Sequence, residues 1–317
     1  DLYPIMEHRI PGIHHVTAIA GAAQPNVDFY TGFLGLRLVK RTVNFDDPET
    51  YHLYYGDELG RPGSIMTFFP WPDARQGKSG AGTVSATAFS IPAGAGDYWM
   101  GRFADEDRPC DAPITRFGQQ VLGFEDPDGL PLALITPSKE DSRKPWQTSE
   151  VNAEIALRGF HSVTLSLRSI TETAKVLTDI FGYTLATHDG NRYRYVTHAV
   201  ENAAIVDLLD LPRAGPATKA GGTVHHVAFR VKDENVLMQY REKVIRHGGL
   251  NITPKIDRNY FFSLYFREPG GVLFEIATDN PGFAIDEPVS ELGTHLKLPA
   301  QYESSRAEIE KVLPSLV

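Results

Sequence analysis

Apolar residues in this chain recur with a period of two in four tracts that each begin at glycine: GIHHVTAIA from Gly12, GTVSATAF from Gly82, GFHSVTLSL from Gly159 and GTVHHVAF from Gly222. Alternation over eight or nine residues marks a strand with one face in a core. After the third tract the period lengthens, and Ile170, Ala174, Leu177 and Phe181 fall on one side of a predicted helix. Ser169 and Glu172 open it as a capping box and Gly182 stops it. After the fourth, Asp233 caps a helix carrying Val236, Leu237, Tyr240 and Val244, ended by Gly248. A shorter helix is predicted near Asp97 to Phe103. Apolar runs broken by Gly, Pro and Asp turns complete each unit as strands.

The units repeat one another, and repetition fixes architecture more firmly than local propensity. FLGLRL from Phe33 answers IFGYTL from Ile180, EDPDGLPLALIT from Glu125 answers REPGGVLFEIAT from Arg267, and ITR at Ile114 answers IDR at Ile256. The expectation is an α+β chain of four βαβββ modules forming two half-barrel domains. Residues 1–140 hold one double module and 153–283 the other, with 284–317 a tail ending in a short helix from Ser304 to Leu313. In that helix Ile309, Val312 and Leu313 form the apolar stripe, suited to packing on the body or to covering a cavity mouth. SKEDSRKPWQTSEV, polar and aperiodic, reads as the linker.

Neighbours along a strand point to opposite faces, so parity sorts the side chains. Val163, Leu165 and Leu167 face a helix-covered core, which puts His15 and Thr17 of the matching first tract on the cavity side. Val227, Phe229 and Val231 do the same for the fourth tract and leave His226 inward. Val272, Phe274 and Ile276 leave Glu275 inward. Two imidazoles and a carboxylate are the ligand set of a facial triad, which keeps positions open on Fe(II) for substrate and dioxygen. At the equivalent places the sister units carry Ser162, Ala86 and Ala133. One set is armed and the other blank, which requires the first unit to pair with the fourth and the second with the third. Two plainer readings stand beside this one: strand histidines are more often hydrogen-bonded core residues, and Arg258 offers Glu275 an ordinary salt bridge. Glu275 among apolar neighbours needs a cation in either case. His8, His188, His198, His247 and His295 read as surface residues.

Charge and composition narrow the partners. Of 317 residues, 31 are Lys or Arg and 40 Asp or Glu, a net charge of -9 with no basic tract to follow a phosphate backbone, so no nucleic acid is expected. Cys110 is the one cysteine, which rules out an internal disulfide and suits a reducing cytoplasm. No apolar run reaches the roughly 20 residues of a membrane span, and DLYPIMEHRI lacks the core of a signal peptide. A cytoplasmic protein, as a monomer or homo-oligomer, is expected.

The four units with their two histidines and glutamate resemble the vicinal oxygen chelate superfamily of glyoxalases, extradiol dioxygenases and bleomycin-resistance proteins. HHVT at His14, HHVAF at His225, IDRNYFFSLYFREPGG from Ile256, FEIAT at Phe274 and the tail LGTHLKLPAQYESSRAEIEKVLP from Leu292 are similar to the hydroquinone 1,2-dioxygenase group. That resemblance implies Fe(II), with Mn(II) as the other candidate, held by His15, His226 and Glu275. It implies a small aromatic diol and O2 as partners, with oxygen inserted beside a hydroxyl-bearing carbon. It also places His14, Thr17, His225, Arg258 and Tyr265 around the metal: His225 as base, Arg258 to stabilise developing anionic charge, Tyr265 to donate a hydrogen bond. Parity disagrees for His14 and His225, which alternation sends to the opposite face unless a bulge or second-shell placement brings them into play. Two alternatives remain: a metal-dependent glyoxalase or thiol-conjugate isomerase, though Ala133 stands where a further carboxylate is wanted, and a non-catalytic binder of hydrophobic ligands.

Overall fold

The computed structural model describes residues 9–317; His8 and the opening segment lie outside the described residues. The four modules form sixteen strands. The first contributes β1 (Ile13–Ala20), β2 (Arg37–Asn44), β3 (Asp47–Gly56) and β4 (Ile65–Pro70), and the second β5 (Thr83–Ser90), β6 (Ile114–Arg116), β7 (Gln119–Glu125) and β8 (Pro131–Ile135). The third contributes β9 (Phe160–Leu167), β10 (Thr184–Asp189), β11 (Arg192–Val196) and β12 (Ile205–Asp210), and the fourth β13 (Thr223–Val231), β14 (Ile256–Asp257), β15 (Phe261–Arg267) and β16 (Leu273–Pro281). They assemble two curled eight-stranded sheets, ordered β14-β15-β16-β13-β1-β4-β3-β2 and β10-β11-β12-β9-β5-β8-β7-β6. Each cup therefore joins one module from each half of the chain, first with fourth and second with third.

Each module's helix lies over the convex face of its sheet and buries its apolar side there. In the first module α1 (Ala23–Val27) runs on as a π-helical turn over Asp28–Phe33, and in the third α3 (Thr171–Lys175) does so over Val176–Ile180. The predicted capping box at Ser169 does not form. Ile170 occupies the cap position and makes no side-chain cap bond, because Ser169 spends its hydroxyl on the neighbouring Thr171. Leu177 and Phe181 are buried as expected, and Gly182 ends the turn at a positive φ that a Cβ would strain. The second-module helix is α2 (Gly96–Asp105). In the fourth, α4 (Glu234–Gly248), Asp233 accepts from the Val236 amide at 3.0 Å, and the left-handed stop is Gly249, one residue later than predicted. No helix among the described residues is long and apolar enough to cross a membrane.

The polar segment after Pro137 is stapled down rather than loose. Arg143 pairs with buried Asp141 and donates to the carbonyls of Gly63 and Phe160, tying the two sheets together. The tail wraps the β2–β3 hairpin: buried Lys40 holds Asp286 and Glu287 at 2.5 Å, and Tyr302 donates to the Phe45 carbonyl at 2.6 Å. Its helix α5 (Arg306–Val312) buries Ile309, with Leu313 packed just beyond, and leaves Val312 exposed, so the apolar stripe is narrower than predicted. None of its residues lines the pocket beside the triad, so it packs against the body and does not cap the mouth.

Candidate metal centre

β1 and β13 lie side by side at the centre of the first sheet, antiparallel, and two irregularities in their pairing decide what they present. His15 stands opposite Ala228 while Ile13 stands opposite Phe229, so His14 is an extra residue. Thr17 stands opposite His226 while Ala18 stands opposite Val224, so His225 is another. A bulge puts two successive side chains on one face. Ile13 and Val16, and likewise Val224 and Val227, all reach the core, which leaves each His pair between them directed to the cup. Strict alternation was wrong for His14 and His225 for this reason. The blank sheet keeps the same bulges at His161 and Ser85, so they belong to the module and not to the site.

His15, His226 and Glu275 are all buried, and one ligand atom of each lies within 4.8 Å of the others. His15 Nε2 is 3.1 Å and His226 Nε2 2.8 Å from Glu275 Oε2, with the two nitrogens 3.2 Å apart. Donors at right angles on an ion about 2.1 Å away lie about 3.0 Å from one another, so the triangle fits a facial set. The nitrogens behind support this. His15 Nδ1 meets His14 Nδ1 at 2.8 Å, and His226 Nδ1 meets His225 Nδ1 at 2.8 Å. A proton on Nδ1 of each ligand satisfies those contacts and turns both Nε2 lone pairs toward a carboxylate oxygen that is itself buried without a hydrogen-bond donor. Three lone pairs at this separation repel unless a cation sits among them. Ser263 donates to the other carboxylate oxygen. Burial alone would raise the Glu275 carboxyl; when the two imidazoles carry protons in place of a metal, their charge outweighs burial and holds the group well below its ordinary range.

The plain salt bridge to Arg258 is not made. Arg258 Nε donates instead to the Tyr265 hydroxyl at 3.2 Å, and its nearest carboxylate is Asp46 at 3.9 Å. Arg258, Tyr265 and His225 line, with His15 and His226, a cavity of about 330 Å³ walled by Phe45, Phe69, Trp71 and Phe261. Burial, then His226 and Lys219, push His225 down to about 3, so it is neutral. Tyr265 sits opposite Glu275 in the β15–β16 pairing, and burial together with that carboxylate raises its hydroxyl. His14 lies behind His15, its Nε2 on the Thr278 carbonyl at 3.0 Å, and Thr17 lies beneath, hydrogen-bonded to Thr67 at 2.7 Å; neither lines the cavity. His188, His198, His247 and His295 are exposed, as expected.

The aromatic walls and, among the polar lining, His52 and Tyr54 escaped the sequence reading. His52 and Tyr54 face the cup from β3, while Leu53 and Tyr55 between and after them enter the core. The alternation of YHLYYG carried that signal, but no repeat partner drew attention to it. In the blank cup, Arg194 stands opposite Asp207 as Tyr54 stands opposite Thr67. There Arg194 forks onto Asp207 at 2.9 Å, donates to Gln119 and stacks on Phe117, filling the hollow with ion pairs.

Paired βαβββ modules curled into cups, one of them carrying metal-type donors, define a class, and the chain belongs to the glyoxalase/bleomycin resistance protein/dioxygenase superfamily, whose family model matches residues 12–134 and 159–276. Within it, the chain is 45% identical over 308 residues to the "Putative ring-cleaving dioxygenase MhqO" of Bacillus subtilis (strain 168), spanning 97% of both proteins. It is 36% identical over 316 residues to the chlorohydroquinone/hydroquinone 1,2-dioxygenase of Sphingobium indicum, again spanning 97% of both. The crystal structure of a "putative dioxygenase" from Bacillus subtilis superposes with a TM-score of 0.94 at 44% identity over 98% of each chain. Glyoxalase I of Zea mays, at 14% identity and a TM-score of 0.64 over 84% of this chain and 92% of its own, shares the fold alone.

Proposed function

We propose that this protein is an Fe(II)-dependent ring-cleaving dioxygenase that opens a hydroquinone-type ring beside a hydroxyl-bearing carbon. The observation that carries the reading is the buried donor triangle of His15, His226 and Glu275 on the floor of an aromatic-walled cavity with room for one substituted ring. When bound, Fe(II) supplies open positions where a ring oxygen and dioxygen become neighbours and a route for ring electrons to reach the oxygen; Mn(II) suits the same donors.

The remaining work falls to side chains. Phe69 and Trp71 on one wall and Phe261 on another hold the ring flat and exclude water. His225 is neutral, and with its Nδ1 accepting from His226 its proton stands on Nε2, which makes no hydrogen bond among the described residues. It therefore donates a hydrogen bond to an oxygen of the substrate and is not the base expected from the sequence. Arg258 stays charged at the cavity edge and stabilises negative charge that builds on the substrate, while Tyr265 keeps its proton and donates a hydrogen bond. His14 orients His15 from behind, and Thr17 supports the floor.

The test is oxygen uptake after anaerobic Fe(II) loading, across hydroquinones and catechols, with a glutathione thiohemiacetal as the isomerase control. Consumption of one O2 per diol supports the reading. Turnover of the control alone would replace it with an isomerase, and tight ligand binding without metal or turnover would replace it with a binding protein.

A further inference from the structure

One hydrogen-bonded chain in the cup that holds the triad meets these roles only at Thr17. The Tyr54 hydroxyl meets His52 Nδ1 at 2.9 Å, His52 Nε2 meets Thr67 Oγ1 at 2.9 Å, and Thr67 Oγ1 meets Thr17 Oγ1 at 2.7 Å. His52 and Tyr54 line the cavity; Thr67 and Thr17 are buried beneath it. Both ring nitrogens of His52 are engaged within the chain. The Tyr54 hydroxyl is therefore the group through which this chain can hydrogen-bond a molecule in the cavity.

Imidazole and hydroxyls each donate and accept, so the chain has two self-consistent polarities. If Tyr54 donates to Nδ1, Nε2–H donates to Thr67 and the phenol oxygen offers the cavity a lone pair. If Thr67 donates to Nε2, Nδ1–H donates to the phenol oxygen and Tyr54 offers the cavity its O–H. A ring hydroxyl, both donor and acceptor, matches either polarity; a hydrogen or alkyl group at the same ring position matches neither.

Position decides which hydroxyl. The triad stands on β16, β13 and β1; β15, bearing Tyr265, adjoins β16 on one side, whereas β3, bearing Tyr54, lies beyond β4 on the other. Tyr265 and Tyr54 thus flank the triad strands from opposite sides, and a ring with one oxygen on the triad can turn its other toward β3. The ring of Tyr54 is fixed there by Phe283 at 5.1 Å and His52 at 4.1 Å.

We propose that Tyr54 binds the second hydroxyl of the diol, the one the metal does not take, and that His52 and Thr67 are positioning residues that hold Tyr54 for it. This rests on the ring-cleaving reading above and adds the residue that distinguishes a diol from a simple phenol.

The experiment measures anaerobic binding to the Fe(II)-loaded protein of a hydroquinone and of the matched 4-alkylphenol, with iron content determined in parallel. The parent is expected to favour the hydroquinone by about 10- to 100-fold, and Tyr54→Phe to bring the two within about threefold while phenol affinity and iron content stay unchanged. Thr67→Val is expected to weaken the preference through His52, and Thr67→Ser to restore it, which a merely structural role for the chain would not produce. Parental discrimination in Tyr54→Phe or in Thr67→Val would overturn the proposal. A parent that neither binds nor consumes any diol would instead overturn the ring-cleaving reading, and this assignment with it.

Discussion

Replacing Glu275 by glutamine removes one charge from the donor triangle and almost no volume. In the metal-free protein the carboxylate is buried, with its Oε2 3.1 and 2.8 Å from two imidazole nitrogens. A neutral amide there sheds the charge-burial cost and can still donate to one Nε2, so metal-free stability should change by less than about 1 kcal/mol. The difference should appear only with metal. At a free ion concentration 100 times the parent's Kd, binding stabilises the parent by about 2.7 kcal/mol, which for a chain of this size raises Tm by about 4 °C. Losing the anionic donor should weaken binding by at least about 100-fold, more than the loss of a supporting hydrogen bond would. The same ion concentration then only half-saturates Glu275→Gln and contributes about 0.4 kcal/mol, less than about 1 °C. Thermal melts with and without Fe(II) or Mn(II) under argon, with metal analysis, read both numbers. Stoichiometric metal and a full melting shift in Glu275→Gln would refute the assignment of the triangle.

Three further outcomes are expected. His225→Ala should retain iron and lower kcat by roughly 100-fold; loss of iron instead would make His225 part of the metal shell. Burial, then Arg194, push His161 in the blank cup down to about 3. Between pH 6.5 and 3 the unfolded chain therefore takes up a proton that the folded one refuses, so stability should fall with pH by up to about 5 kcal/mol, and His161→Gln should flatten that slope in urea melts. Asp233→Ala removes the cap on the Val236 amide and should cost about 1 kcal/mol, read as a drop of about 2 °C in Tm.

Much of this was legible in the chain because a fourfold repeat carries its own control. His15, His226 and Glu275 stood out against Ser162, Ala86 and Ala133, and parity turned all three inward correctly. The pairing of outer with outer and inner with inner modules followed from requiring those donors to meet. His14 and His225 were misplaced because a bulge leaves no mark in a two-residue period: HHV reads as ordinary alternation whether or not one residue is extra. His52 and Tyr54 were overlooked for another reason. Their importance lies in a four-member hydrogen-bond chain that crosses three strands, and its sister positions, Arg192 and Arg194, serve a different purpose. The capping box at Ser169 failed locally, where two hydroxyls two residues apart satisfied each other first.

The exchange of modules between the two cups has a consequence for how the protein comes into being. His15 is made well before its partners in the triangle: His226 follows 211 positions later and the carboxylate later still. Until then β1 has lost neither its open edge nor its exposed imidazoles, and the nascent N-terminal portion must wait, sheltered or unfolded, for its complement. The donor triangle can take a metal ion only once the fourth module has joined the first, so loading waits on completion of the native topology.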